Sequence, residues 1–177
     1  MKKFIIILVV VLSVTGLIIW LSIEQDAKYS KYKVGTNPQN LDPVGIIFEN
    51  QGQTHIKIGE EHPQYNSNPP TSGWHWAQPA SWGVYSRSLV DEQAVHNLEH
   101  GGIWISYKDI DEETKANLEK ITKANSRSVI MSPRDTNDSK IILASWTRLE
   151  KLDSYDEVKI LEFIERNKNK SPEPFAR

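Results

Sequence analysis

Residues 91–107 read DEQAVHNLEHGGIWISY. Asp91 reads as a helix N-cap with Glu92 in the first turn, and Gly101-Gly102 are a common helix stop. Between them lies a short helix, EQAVHNLEH. After the glycines, IWISY is an apolar, β-branched run that reads as a strand. A helix running straight into a strand sets the class to expect, and the rest of the chain repeats the mixture.

Downstream, Asp111 is placed to cap a second helix reaching about Ala124, with Leu118 and Ile121 at helical spacing. SVIM (128–131) and KIILASW (140–146) read as strands around a polar turn with Pro133, Asn137 and Asp138. Ser154 or Asp156 starts a last helix to about Asn167, with Val158, Leu161 and Ile164 as its apolar stripe. Upstream, VGIIF (44–48) and THIKIG (54–59) predict two strands around a turn at Gly52. The expected fold is α+β: a small single domain with a mixed or antiparallel sheet and two to three helices.

Residues 60–90 have a different composition. Pro63, Pro69, Pro70 and Pro79 exclude a regular helix or central strand. Trp74, Trp76 and Trp82 argue against disorder, since disordered segments are poor in aromatics. A long, ordered Pro/Trp-rich loop is expected. Its tryptophans could pack the domain or offer a stacking platform for a sugar.

Residues 4–23, FIIILVVVLSVTGLIIWLSI, carry no charge. At about 1.5 Å per residue they can span a hydrocarbon core of about 30 Å. Lys2 and Lys3 precede the run, and Trp20 sits where an interfacial aromatic belongs. The expectation is one uncleaved transmembrane anchor. It divides the chain into a cytoplasmic N-terminus (1–3), the anchor (4–23), a juxtamembrane linker (24–43), an extracytoplasmic domain (44–170) and a tail (171–177).

A formal net charge of −2 with interspersed signs gives no basis for nucleic-acid binding. No Gly-rich phosphate loop follows any strand, so no nucleotide is expected. Without cysteine there is no disulfide, no thiolate metal site and no lipid-anchored cysteine. Any metal must be held by His, Asp, Glu, Met or backbone oxygen. Ser72 lacks the G-x-S-x-G setting of a hydrolase nucleophile.

The histidines carry the chemistry. His96 and His100 are four apart, on one helix face, and can share a metal. His75 comes from the preceding loop and is the third candidate. HNLEH also fits the inverted H-x-x-E-H zinc-protease pattern, with Glu99 as general base. Met131 would favour copper if its thioether reached the histidines. Three functions stay open: a copper or zinc binding protein, a zinc hydrolase, and an interaction domain whose histidines build a polar core.

YNSNPPTSGWHW (65–76), WGVY (82–85) and VHNLEHGG (95–102) together resemble the DUF3105 family, from about residue 45 to 150. These are often membrane-anchored single-domain proteins of undefined function. The resemblance implies that His75, His96 and His100 belong to a family signature, with Pro69, Pro70, Thr71, Ser72, Gly73, Asn97, Glu99, Gly101 and Gly102. It also implies His55 as a fourth ligand and ranks His62 below it. No reaction, protein partner or glycan partner comes with the resemblance.

Overall fold

The computed structural model describes residues 2–35 and 40–174. Its first element is one long helix, α1 (Lys2–Tyr29), followed by a single 3-10 turn (Ser30–Tyr32). The polar residues inside α1 do not interrupt it. The Ser13, Thr15 and Ser22 hydroxyls donate to the carbonyls of Val10, Val11 and Ile18 one turn earlier. Such back-bonding satisfies hydroxyls where no water is available. The stretch Val10–Tyr32 is long and apolar enough to cross a membrane, although a signal sequence has the same length and composition.

Beyond α1 the chain docks on the domain. Tyr32 is buried in the core. Asn125 holds this segment from both sides: its amide donates to the Tyr32 carbonyl, and its side-chain oxygen accepts from Val34 N–H.

The domain is α+β, built on a six-stranded mixed sheet. Its strands are β1 (Ile46–Ile47), β4 (Gly83–Val84), β5 (Ile103–Tyr107), β6 (Val129–Pro133), β7 (Ile141–Ser145) and β8 (Arg148–Leu152). The spatial order is β1-β8-β7-β5-β6-β4. The β5–β6 and β6–β4 pairs are parallel, and the remaining pairs are antiparallel. Strands β5 and β7 are buried at every position, which explains their unbroken apolar runs. Strand alternation then sends side chains to two cores. Ile103, Ile105, Met131, Ile141 and Leu143 face α3 (Glu112–Ala124) and α4 (Glu157–Asn167). Trp104, Ile130, Ile142 and Ala144 face α2 (Asp91–Glu99) through Ala94, Val95 and Leu98.

The expected hairpin at Gly52 does not form. Ile46 pairs with Leu149 of β8, while β2 (His55–Ile56) pairs in parallel with β3 (His75–Trp76). The reason is competition for backbone groups. Gln51 N–H donates to Ser72 Oγ, Gly73 N–H donates to the Gly52 carbonyl, and His75 N–H donates to the Thr54 carbonyl. The loop around PPTSG takes the bonds that a hairpin partner would have used.

Strand β8 and helix α4 also differ from expectation, while α3 agrees with it. Strand β8 has three charged residues beside Leu149 and Leu152, which are buried in the two opposite cores, so its short RLEKL run carries little apolar signal. In α4, Asp156 is the N-cap and accepts from Lys159 N–H. Ile160, Phe163 and Ile164 are buried there, whereas Val158 is exposed. Asp111 caps α3 as expected, accepting from Thr114 N–H at 2.7 Å.

Asp91 is the first residue of α2 rather than its cap, and its carboxylate has another task. Arg134 meets it with two parallel bonds, Nε to Oδ1 at 2.8 Å and Nη2 to Oδ2 at 2.7 Å. The same guanidinium also donates to the side-chain oxygens of Asn68 and Asn137. One buried cation thus ties the Pro/Trp loop, the start of α2 and the β6–β7 turn together. Bidentate, charge-assisted bonds of this kind are strong and directional. Arg134→Ala is expected to lower stability by about 2–3 kcal/mol, because it leaves several polar groups without their donor. Chemical denaturation of the variant against the parent chain measures this, and an unchanged midpoint would refute it.

Candidate metal centre

Helix α2 ends at Glu99, and His100 is its C-cap. The helix is short because two glycines follow, and each is required by a close approach. A Cβ on Gly102 would lie 2.4 Å from the Trp82 ring. Gly101 has φ +78°, and a Cβ there would lie 2.8 Å from Asn169 Cα. The segment after α4 therefore runs directly against the end of α2. Asn169 N–H donates to the Gly101 carbonyl, and Glu173 N–H donates to the Glu99 carbonyl.

Asn97 fixes the other side of α2. Its side-chain oxygen accepts from Ala80 N–H at 2.8 Å, and its amide donates to the Ala80 carbonyl at 2.9 Å. This paired clamp holds the Pro/Trp loop on the helix. Gly73 (φ +118°) packs under the Tyr65 ring, and the Tyr65 hydroxyl donates to the Trp74 carbonyl. Gly73, Asn97, Gly101 and Gly102 are therefore scaffold around the histidines.

On this scaffold four side chains converge. One ligand atom from each of His55, His75, His96 and Glu99 falls within a sphere of contacts no longer than 4.8 Å. Glu99 Oε2 is 3.0 Å from His75 Nε2, 3.2 Å from His55 Nε2 and 4.0 Å from His96 Nε2. His55 and His75 meet because they are register partners on the β2–β3 bridge. His75, His96 and Glu99 are buried, while the His55 side chain is 44% exposed. His55 stacks on His96 with ring centroids 4.9 Å apart, and His75 stands edge-on to both.

The outer nitrogens of two rings are already committed. His75 Nδ1 lies 2.7 Å from the Gly73 carbonyl, and His96 Nδ1 lies 2.6 Å from the Trp76 carbonyl. A carbonyl only accepts, so both Nδ1 atoms carry hydrogen. In the neutral tautomer each Nε2 then presents a lone pair inward. For His96 that lone pair faces His100 Nε2 at 3.0 Å, which can donate to it. For His75 it faces the carboxylate oxygen of Glu99, which is also an acceptor. Two acceptors 3.0 Å apart need a cation between them, either a proton or a metal ion. A backbone carbonyl holding Nδ1–H while Nε2 points at a shared centre is the usual outer support of a ligating histidine.

The position of Glu99 sharpens this requirement. It is the last residue of α2, where the helix dipole is negative, and it is 1% exposed. A carboxylate so placed is disfavoured both by the dipole and by lost hydration. A proton or metal ion held between Glu99 and the surrounding imidazoles would compensate it.

His100 belongs to a second, overlapping group with Glu99 and Glu173. His62 lies apart, bonded to the Pro63 carbonyl and 3.4 Å from Glu92. Met131 is in the core on the α3–α4 face of the sheet, opposite the face that carries α2. Trp104 and Trp146 are buried, and Trp146 stands edge-on to His75 at 6.5 Å.

Two residues of the site were outside the ligand set expected from sequence. Glu99 is three residues from His96 on the same helix face, a spacing that could have nominated it. Glu173 is 74 positions from Glu99 in the sequence, and no local pattern marks it.

Burial lowers the pKa values of both His96 and His100 from the ordinary 6.5. The folded chain therefore takes up fewer protons than the unfolded chain as pH falls through about 6.5. Stability contributed by these groups is present above that pH and lost below it. The thermal midpoint of metal-stripped protein is expected to fall as pH drops below about 6.5. A flat profile through that range would refute the assignment.

Comparison with known proteins gives one positive result. The DUF3105 pattern, described as a protein of unknown function, matches residues 56–177. That span contains His75, His96, Glu99, His100 and Glu173, and begins one residue after His55. No curated protein and no solved structure gives a match. With more than half of its length matched, this chain belongs to the DUF3105 family.

Proposed function

We propose that this protein is a membrane-anchored, extracytoplasmic transition-metal binder, with His55, His75, His96 and Glu99 as the ligands of one ion and His100 beside them. The observation that carries the reading is the contact between His75 Nε2 and Glu99 Oε2, 3.0 Å apart in a buried setting with Nδ1 already donating elsewhere. A metal at about 2.0–2.1 Å from each nitrogen would satisfy that lone pair and the carboxylate together. His96 would contribute by exchanging its contact with His100 for the metal.

Three imidazoles and one carboxylate make an N3O donor set. Such a set suits zinc or copper(II), whereas copper(I) prefers soft sulfur. The chain has no cysteine, and Met131 lies across the sheet, so sulfur ligation has no support. Glu99 is a ligand in this reading, not the general base of a zinc hydrolase. Its Oε2 is within 3.2 Å of two imidazole nitrogens, and the side chain is 1% exposed. A base acting on a metal-bound water needs freedom to face that water and its substrate.

The anchor reading rests on α1. Two lysines before the apolar run favour an N-terminus on the cytoplasmic side and the domain outside.

The full-length chain in detergent, loaded with zinc and dialysed, tests the site. The parent is expected to retain metal, while His75→Gln and His96→Gln weaken binding at least about tenfold. His62→Ala is expected to bind like the parent. A folded parent chain that retains neither zinc nor copper would sink the proposal. For the anchor, alkaline extraction should leave the chain in the membrane fraction, and protease added outside intact cells should digest the domain. A protected domain would reverse the orientation.

A further inference from the structure

The second group, Glu99, His100 and Glu173, has its ligand atoms within 4.8 Å of one another. His100 Nε2 lies 3.7 Å from Glu173 Oε2 and 3.0 Å from His96 Nε2. The group therefore adjoins the inner one on two sides, through the shared Glu99 carboxylate and through the His96–His100 contact.

We infer that Glu99, His100 and Glu173 hold a second divalent transition-metal ion, bridged to the inner ion by the Glu99 carboxylate. The inference rests on the inner site proposed above and extends it from one ion to two. Carboxylate-bridged pairs with the metals about 3.5–4 Å apart are a standard arrangement of two-metal sites. The two positions differ in access. The inner ligands His75, His96 and Glu99 are buried, while the side chains of His100 and Glu173 are 16% and 45% exposed. With three protein ligands the outer ion keeps room for water, whereas the inner ion has four.

Glu173 is brought there by backbone bonds. Asn169 and Glu173 N–H groups donate to the Gly101 and Glu99 carbonyls, and Gly101 has no side chain to hold the returning segment away. The carboxylate of Glu173 is thus delivered to the end of α2 by the same contacts that close the C-terminal segment on the domain. Glu173 faces His100 and takes no part in the inner group, which makes it the discriminating residue.

The test is zinc stoichiometry by elemental analysis on the full-length chain in detergent, with circular dichroism to establish that each variant is folded. The parent is expected to hold two zinc ions per chain, and Glu173→Gln one. His100→Ala is expected to hold one as well, and His62→Ala two. A titration of the parent followed by calorimetry should show two steps, the weaker of which disappears in Glu173→Gln. A parent that holds a single ion, or a folded Glu173→Gln that still holds two or loses both, overturns the outer position. A parent that holds none overturns this position and the inner site together.

Discussion

The structure depends on a buried carboxylate at the wrong end of a helix. Glu99 closes α2, where the dipole repels negative charge, and almost none of it reaches water. Everything around it serves to make that position tolerable. The β2–β3 bridge brings His55 and His75 side by side against it. His96, one turn back on α2, comes to the same centre. Backbone carbonyls of Gly73 and Trp76 hold two of the rings so that their free nitrogens turn inward. A polar network this dry is stable only if it is fully satisfied. A cation at its centre, as proposed above, would complete it.

The supporting shell explains residues that do not touch the centre. Asn97 clamps Ala80, Gly102 admits the Trp82 ring, and Gly101 admits Asn169. Arg134 ties Asn68 to Asp91 and so joins the loop with PPTSG to the helix with HNLEH. The PPTSG loop and the HNLEH helix are thus halves of one structural unit, one bringing His75 and the other His96 and Glu99. Neither half could hold these side chains in place alone, since the loop has little regular structure and α2 has only nine residues.

Much of this was legible in the chain. The stop of α2 at Gly101, the cap at Asp111 and the runs of β5, β6 and β7 follow from short-range rules, and they appear close to the expected positions. His75 and His96 come together in one group, whereas His100, expected beside them, falls in the second group with Glu99 and Glu173. The hairpin at Gly52 failed because a turn signal states only that the chain bends. It does not say which backbone groups the following strand will find, and here residues 72–75 offered them first. The stripe on α4 was misread at Val158 for a related reason. Apolar spacing gives a helix face, but packing against the sheet at β7 decides which side of that face is buried.

The sequence by itself determined the elements that local chemistry controls: an apolar helix, an α+β order of elements, helix ends set by glycine and aspartate, and a histidine-rich segment without cysteine. Only the tertiary structure decided that Glu99 stands among the imidazoles, that His55 pairs with His75, that Met131 lies across the sheet, and that Glu173 returns to the end of α2. The physical reason is distance along the chain. Capping, turns and periodicity act over a few residues, whereas most of these contacts join positions 20 to 74 apart, and depend on how the loop and the C-terminal segment share backbone hydrogen bonds with a single short helix.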